Sequence, residues 1–304
     1  MSLLSPLVSL FRSSLQPIAP FIWFNLSIST LDLVATVRLC LILRQIREQL
    51  YTQHVATHGV KDVEQRSFVK SLTTTLTVVY AGEAITAPLL GIPPSFMQSG
   101  VYPGLYAAVQ GVIDALPVVP GISAELELPL SIIDGFTRAY LLCNLIPPAV
   151  LTHASPAIAS SPWTLLLTSL ITANFGFLLT NALSMLHPTP YTLRTPPELQ
   201  AYGWTTADVW CAPLITALYA LLTHAQPFWA EAHGVLVMLL SSDNGGVKSV
   251  GAKDVEAVDP EVARAVCGLL LAGLFAGRTV KNFGLWKSKG TGKKLVTEEK
   301  TKTQ

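Results

Sequence analysis

The feature that most constrains this chain is the recurrence of apolar stretches close to twenty residues long, separated by short polar or proline-bearing connectors. A helix needs roughly 20 apolar residues to cross a hydrocarbon core of about 30 Å. Seven stretches meet that length: 21–43, 69–92, 101–119, 128–150, 163–186, 206–223 and 261–283. The second stops at Pro93-Pro94, the third at Pro117 and Pro120, and the fifth at His187-Pro188. A further apolar passage, 227–240, is too short to span and either extends the sixth or lies at the interface; a polar loop with an Asn244-Gly245-Gly246 turn follows it. With 50% apolar and only 13% charged residues, and a mean hydropathy of +0.47, a water-soluble domain would lack polar surface. The expectation is an all-α membrane protein of seven transmembrane helices over 1–285, with a basic, disordered tail over 286–304.

Lysine and arginine set the orientation, because cytosolic connectors carry the excess of positive charge. An odd number of spans puts Arg44, Arg47, Lys61, Arg66, Lys70, Arg194, Arg278 and the seven lysines between Lys281 and Lys302 on one side. The other side receives only Arg12, Lys248, Lys253 and Arg264. The N-terminus is therefore expected in the lumen and the C-terminus in the cytosol. The last residues, Lys300-Thr301-Lys302-Thr303-Gln304, are similar to the lysine-x-lysine-x-x retrieval signal of endoplasmic reticulum membrane proteins.

Six scattered histidines and four cysteines form neither CxxC nor HExxH, so no metal site and no cofactor are expected. All four cysteines fall in apolar stretches and are expected as free thiols. There is no GxSxG, no Walker A and no GxGxxG after a strand, so the chain is not expected to be an enzyme. The glycine-lysine run 290–294 lacks a preceding strand and is read as tail, and nothing points to nucleic acid as a partner.

Charge within hydrocarbon is expensive, roughly 2.5–3.5 kcal/mol per central Arg or Asp, so Asp32, Arg38, Glu83, Asp114, Asp134 and Arg138 are the informative residues. Asp134 and Arg138 stand four apart on one helix face and can pair; Asp32 and Arg38, six apart, fit less well. Such pairs either lock helices together or contact ions and lipid. Spans one to three and four to six echo each other weakly, Asp32 and Arg38 against Asp134 and Arg138, and mid-span Gly82 against Gly176, as an inverted repeat would. Gly82 with Glu83, and Asn174 with Gly176, mark either close packing or a bend beside a water-filled path. Spans two and five are rich in threonine and serine, which suits interhelical hydrogen bonds or a polar lumen.

The arrangement resembles the trimeric intracellular cation channels over about 31–283. The local pieces that carry it are Tyr80-Ala81-Gly82 running to Leu89-Leu90-Gly91-Ile92-Pro93, and the stretch from Trp163 through Gly176 to Asn181. The resemblance implies two inverted three-helix repeats plus a seventh helix, and a homotrimer with one pore per protomer. It implies passage of potassium or other monovalent cations across the endoplasmic reticulum or nuclear envelope, balancing charge during calcium release. The pore would run by Gly82, Glu83, Asn174 and Gly176. In that family a Lys-Glu-Val-x-Arg motif on the fourth helix binds a phosphoinositide; the register here gives Asp134-Gly135-Phe136-Thr137-Arg138, so only Arg138 carries over as a lipid or gating contact, with Asp134 beside it. The basic residue that the family places before the fifth helix's glycine is replaced by Ile171-Thr172-Ala173-Asn174. Two other readings stay open: a secondary transporter using Glu83, Asp114 or Asp134, and a non-conducting membrane scaffold.

Overall fold

A computed structural model describes residues 4–18, 28–202, 207–242 and 255–284. The expected start of the first span, the Asn244 turn and the lysine-rich tail lie outside those residues. Among the described residues twelve α-helices follow one another: α1 Ser5–Ser14, α2 Thr30–His58, α3 Phe68–Leu89, α4 Ser95–Gln98, α5 Val101–Ala115 and α6 Ala124–Tyr140 come first. A π-helical segment, Leu141–Leu145, then joins α6 to α7 Ile146–Leu151. After these come α8 Pro156–Ala159, α9 Pro162–Ala182, α10 Ala207–Thr223, α11 Pro227–Ser242 and α12 Pro260–Asn282. Among the described residues the only extended pairing is an isolated bridge between Pro17 and Ser29.

The helix starts are written in serine. The Ser29 side chain accepts from Asp32 N–H while Asp32 accepts from the Ser29 backbone, a capping box at α2. Ser123 accepts from Leu126 N–H at α6 and Ser161 from Thr164 N–H at α9. The π segment has a sequence cause as well. Pro147 and Pro148 carry no N–H, so the turn before them cannot close in the α pattern; Ile146 N–H bonds Leu141 O instead. The freed Leu142 carbonyl accepts from the Thr216 hydroxyl at 3.3 Å.

Among the described residues two helices, α9 and α12, are long and apolar enough to cross a membrane, and a third crossing arises if α10 and α11 form one span broken by an 83° bend. The other expected spans fall short of that standard for local reasons. The α3 helix is diluted by Thr73, Thr74, Thr75 and Thr77, α2 carries Arg38, Arg44 and Arg47, and α5 ends at Ala115 after 15 residues. The expected fourth span is a composite of α6, the π segment and α7.

The core sits where α6, α10 and α12 meet, built on Leu142, Ile215, Leu271 and Phe275 with Phe11 of α1 inserted from outside. A second cluster joins Val150, Leu165, Ala220 and Trp229. All four cysteines are buried and free, as their apolar settings implied. Beside this apolar core, polar side chains are buried between helices while large apolar ones face outward. Thr74, Thr75, Gln110, Ser169, Thr180 and Thr216 are buried, whereas Leu269, Leu270 and Leu274 of α12, Leu214 of α10 and Trp163 of α9 are exposed.

The connectors sort into two groups. At one end, Glu64 N–H bonds Pro188 O at 2.8 Å, Lys70 Nζ donates to Thr189 O at 3.0 Å, and Arg44 Nη2 and Gln45 Nε2 reach Leu116 O and Pro120 O. At the other end, His153 Nε2 meets Leu90 O at 2.9 Å and Gln226 Nε2 donates to Ala159 O at 2.7 Å. Successive long helices thus run between the same two ends.

Candidate functional site: a glycine crossing and an arginine–aspartate ladder

Gly82 of α3 and Gly176 of α9 meet at one crossing. A Cβ on Gly82 would lie 2.6 Å from Ile171 O, and one on Gly176 would lie 2.7 Å from the Val78 carbonyl carbon; both separations are below van der Waals contact. Only the absence of a side chain lets the two backbones approach so closely. The contacts are reciprocal: Gly82 meets the residue four before Gly176, and Gly176 meets the residue four before Gly82. Both helices run through their glycines without a break. Thr86 and Thr172 hydroxyls share a hydrogen bond of 3.0 Å beside the crossing.

The spacing between the two glycines, 94 residues from 82 to 176, recurs elsewhere. It relates the helix-capping positions Ser29 and Ser123, the positions Ser67 and Ser161, the buried hydroxyls Thr75 and Ser169, and the basic residues Arg44 and Arg138. Contacts repeat along with residues. Thr75 donates to Gln110 Oε1 of α5 at 2.7 Å, and Ser169 pairs with Thr216 of α10 at 3.0 Å. This register corrects the echo read from the sequence: Arg138 corresponds to Arg44, and Asp134 corresponds to Cys40, so Asp32 and Arg38 are not the counterparts of Asp134 and Arg138.

The ladder is built from four helices. Asp134 of α6 pairs with Arg38 of α2 at 3.2 Å and with Arg138, one turn on, at 3.7 Å. Arg138 then approaches Asp208 of α10 at 4.0 Å, and Asp208 pairs closely with Arg278 of α12. Arg38 Nε also donates to Leu130 O at 2.9 Å, and the Phe275 ring lies between the two further arginines, 5.2 Å from Arg138 and 4.9 Å from Arg278. Five charges alternate in sign, three positive and two negative, so each carboxylate lies between two guanidinium groups. The Asp134 half is largely buried, where charge needs such partners, and the Asp208–Arg278 half is partly exposed. The α6–α12 contact that brings Arg138 near Arg278 is close because Gly135 packs on the α12 backbone, where a Cβ would lie 2.6 Å from Ala272 Cα.

The remaining sequence candidates take separate roles. Asp32 caps its own helix. Glu83 accepts from the Ser95 amide at 2.6 Å and its hydroxyl at 2.7 Å, holding the start of α4. Asn174 donates to Leu170 O at 2.9 Å and to Val209 O of α10 at 3.4 Å, which places it next to Asp208 in the chain and links the crossing to the ladder. Asp114 accepts from Gln110 at 2.9 Å and faces Arg47 at 3.9 Å, forming a second polar cluster with Ser71 and Thr75. Asp208 and Arg278 stand at the ends of their helices, where charge is ordinary, so Arg278 counts only toward orientation and nothing local in the sequence points to their pairing.

Among the described residues no group of three or more His, Cys, Asp or Glu could hold a metal ion. Compared with known proteins, the chain matches no family model, no curated protein and no solved structure.

Proposed function

We propose that this chain is a polytopic membrane protein built from two equivalent three-helix units and a closing helix, and that it conducts monovalent cations passively across an intracellular membrane as a homotrimer. The units are α2, α3 and α5, and then α6 with its π segment and α7, α9 and α10; α12 closes the bundle. The observation that carries the reading is the reciprocal crossing of Gly82 and Gly176 at a spacing that also relates Thr75 to Ser169, each of which bonds a side chain of the next long helix, Gln110 of α5 and Thr216 of α10. A repeat interface is where transport proteins place their pathway. Buried hydroxyl and amide side chains between helices, with large apolar side chains facing outward, favour a lipid surround, since a helix in water turns polar side chains outward.

In this reading the seam of α3 and α9, with Thr86, Thr172 and Asn174, borders the cation path. Asp134 and Arg138 belong to a gating or lipid-contacting network that reaches the basic end of the bundle through Asp208 and Arg278. Potassium is the first ion to test, and the endoplasmic reticulum or nuclear envelope the first location. The resemblance to trimeric intracellular cation channels supports ion, assembly and location alike, and a phosphoinositide headgroup is the lipid it suggests for Arg138.

The test is single-channel recording of the purified protein in a planar bilayer under a potassium gradient. Leucine at Gly82 or Gly176 would disturb the helix crossing itself, so Asn174 is the better probe. Cation-selective steps are expected, with unitary current raised in Asn174→Asp and lowered in Asn174→Lys. Steps unaffected by either change would remove Asn174 from the path, and a silent bilayer would favour a transporter or scaffold.

A further inference from the structure

The α10–α11 bend is closed by two histidines. His224 stands at the bend itself with a φ of +51°, a conformation uncommon for a residue with a side chain. His233, in the second turn of α11, meets it with Nδ1 2.8 Å from His224 Nε2, the rings edge to face. Among the described residues α11 has one other side-chain hydrogen bond, from Trp229 Nε1 to Gln226 Oε1 at its first turn. Gln226 is tied in turn to Ala159 O and Ser161 O. The base of α11 is therefore fixed, and the histidine pair is what ties the helix beyond its base back to α10.

Such a pair needs one ring as N–H donor and the other as a neutral acceptor with a free lone pair. A second proton removes the acceptor lone pair and sets two imidazolium ions against each other. We propose that the His224–His233 hydrogen bond is a proton-operated latch: it holds α11 folded against α10 at neutral pH and releases it on acidification. This device is independent of whether the protein conducts ions.

The other titratable groups on neighbouring elements are Glu231 on α11, Glu256 and Asp259 on the segment that Val258 N–H ties to Leu222 O of α10, and His153 on the connector that meets Gln226. Because the hydrogen bond occupies the acceptor ring's lone pair, uptake of the second proton is opposed as long as the two rings stay 2.8 Å apart, which lowers the acceptor's affinity for it in the folded pair. The sign follows from that direction. A base whose folded pKa is depressed binds fewer protons folded than unfolded, so its contact is fully present above about pH 6.5 and is lost as pH falls through the lowered value.

Spin labels at Leu214→Cys on α10 and Val235→Cys on α11, both exposed positions, read the bend as a distance in the full-length protein in liposomes; the four native cysteines are buried. The expected result is one distance population at pH 7.5 and a second, longer one growing as pH falls to 5.0, with its midpoint below about 6.5. In His233→Gln, which does not titrate, the distance distribution is expected to stay the same across that range. Either a wild-type distribution that does not change with pH, or an equal shift in His233→Gln, would overturn the latch.

Discussion

Asp134 has the most to lose from a single change. It is the only carboxylate within 4 Å of Arg38 in the described residues, and it also pairs with Arg138. Asp134→Ala would leave both guanidinium groups without it in a buried setting, a change that costs about 3–5 kcal/mol. The expected outcome is a clear fall in melting temperature in detergent, partly recovered by adding Arg38→Met, because the second change removes a charge the first one orphaned. Strictly additive losses would show that the ladder is not coupled. One rung was legible in the sequence, since Asp134 and Arg138 share a helix face at a spacing of four. Arg38 has no well-spaced partner on its own helix, Asp32 being six residues away, and a partner 96 positions on leaves no local trace. Glu83 differs: its partner Ser95 is only 12 residues on, past the helix end, where it holds the turn into α4.

Between elements, close approach and relief of strain govern the packing. The α3–α9 and α6–α12 contacts rely on glycine, so a methyl group at Gly176 must push against the Val78 backbone. Overpacking of this kind costs about 1–3 kcal/mol. Gly273→Ala on α12 is the matching control: nothing lies within 4 Å of its would-be Cβ, and alanine favours the helix. Thermal unfolding should therefore place Gly176→Ala well below the wild type and Gly273→Ala at or above it; equal melting points would deny the tight crossing. Helices α9 and α12 could be read directly from their apolar length. The π segment could not. Its prolines sit inside an apolar run that reads as one continuous span, and only the orphaned Leu142 carbonyl, accepting from Thr216, shows what they do to the backbone.

At the scale of the molecule, long helices run back and forth between two ends, and the proposed function adds that the second unit is entered from the side opposite the first. The glycine pair was the legible trace of this organisation. The acid–base echo misled because it matched residue types and ignored their register, whereas the serine caps and the buried hydroxyls Thr75 and Ser169 keep a common spacing. The connector after α2 carries Lys61 and Arg66 and bonds to the connector after α9; the connector after α7 bonds to Leu90 and to the α10–α11 bend. Cysteine labelling in sealed microsomes tests this directly, because all four native thiols are buried. Lys61→Cys and Ser160→Cys, each exposed and each on one of those connectors, are treated with an impermeant maleimide before and after permeabilisation. The account predicts that Lys61→Cys reacts in sealed vesicles, from the cytosolic face, and that Ser160→Cys reacts only once the membrane is opened. Labelling of both from the same side, or of neither pattern in a protein that washes off the membrane, would contradict it.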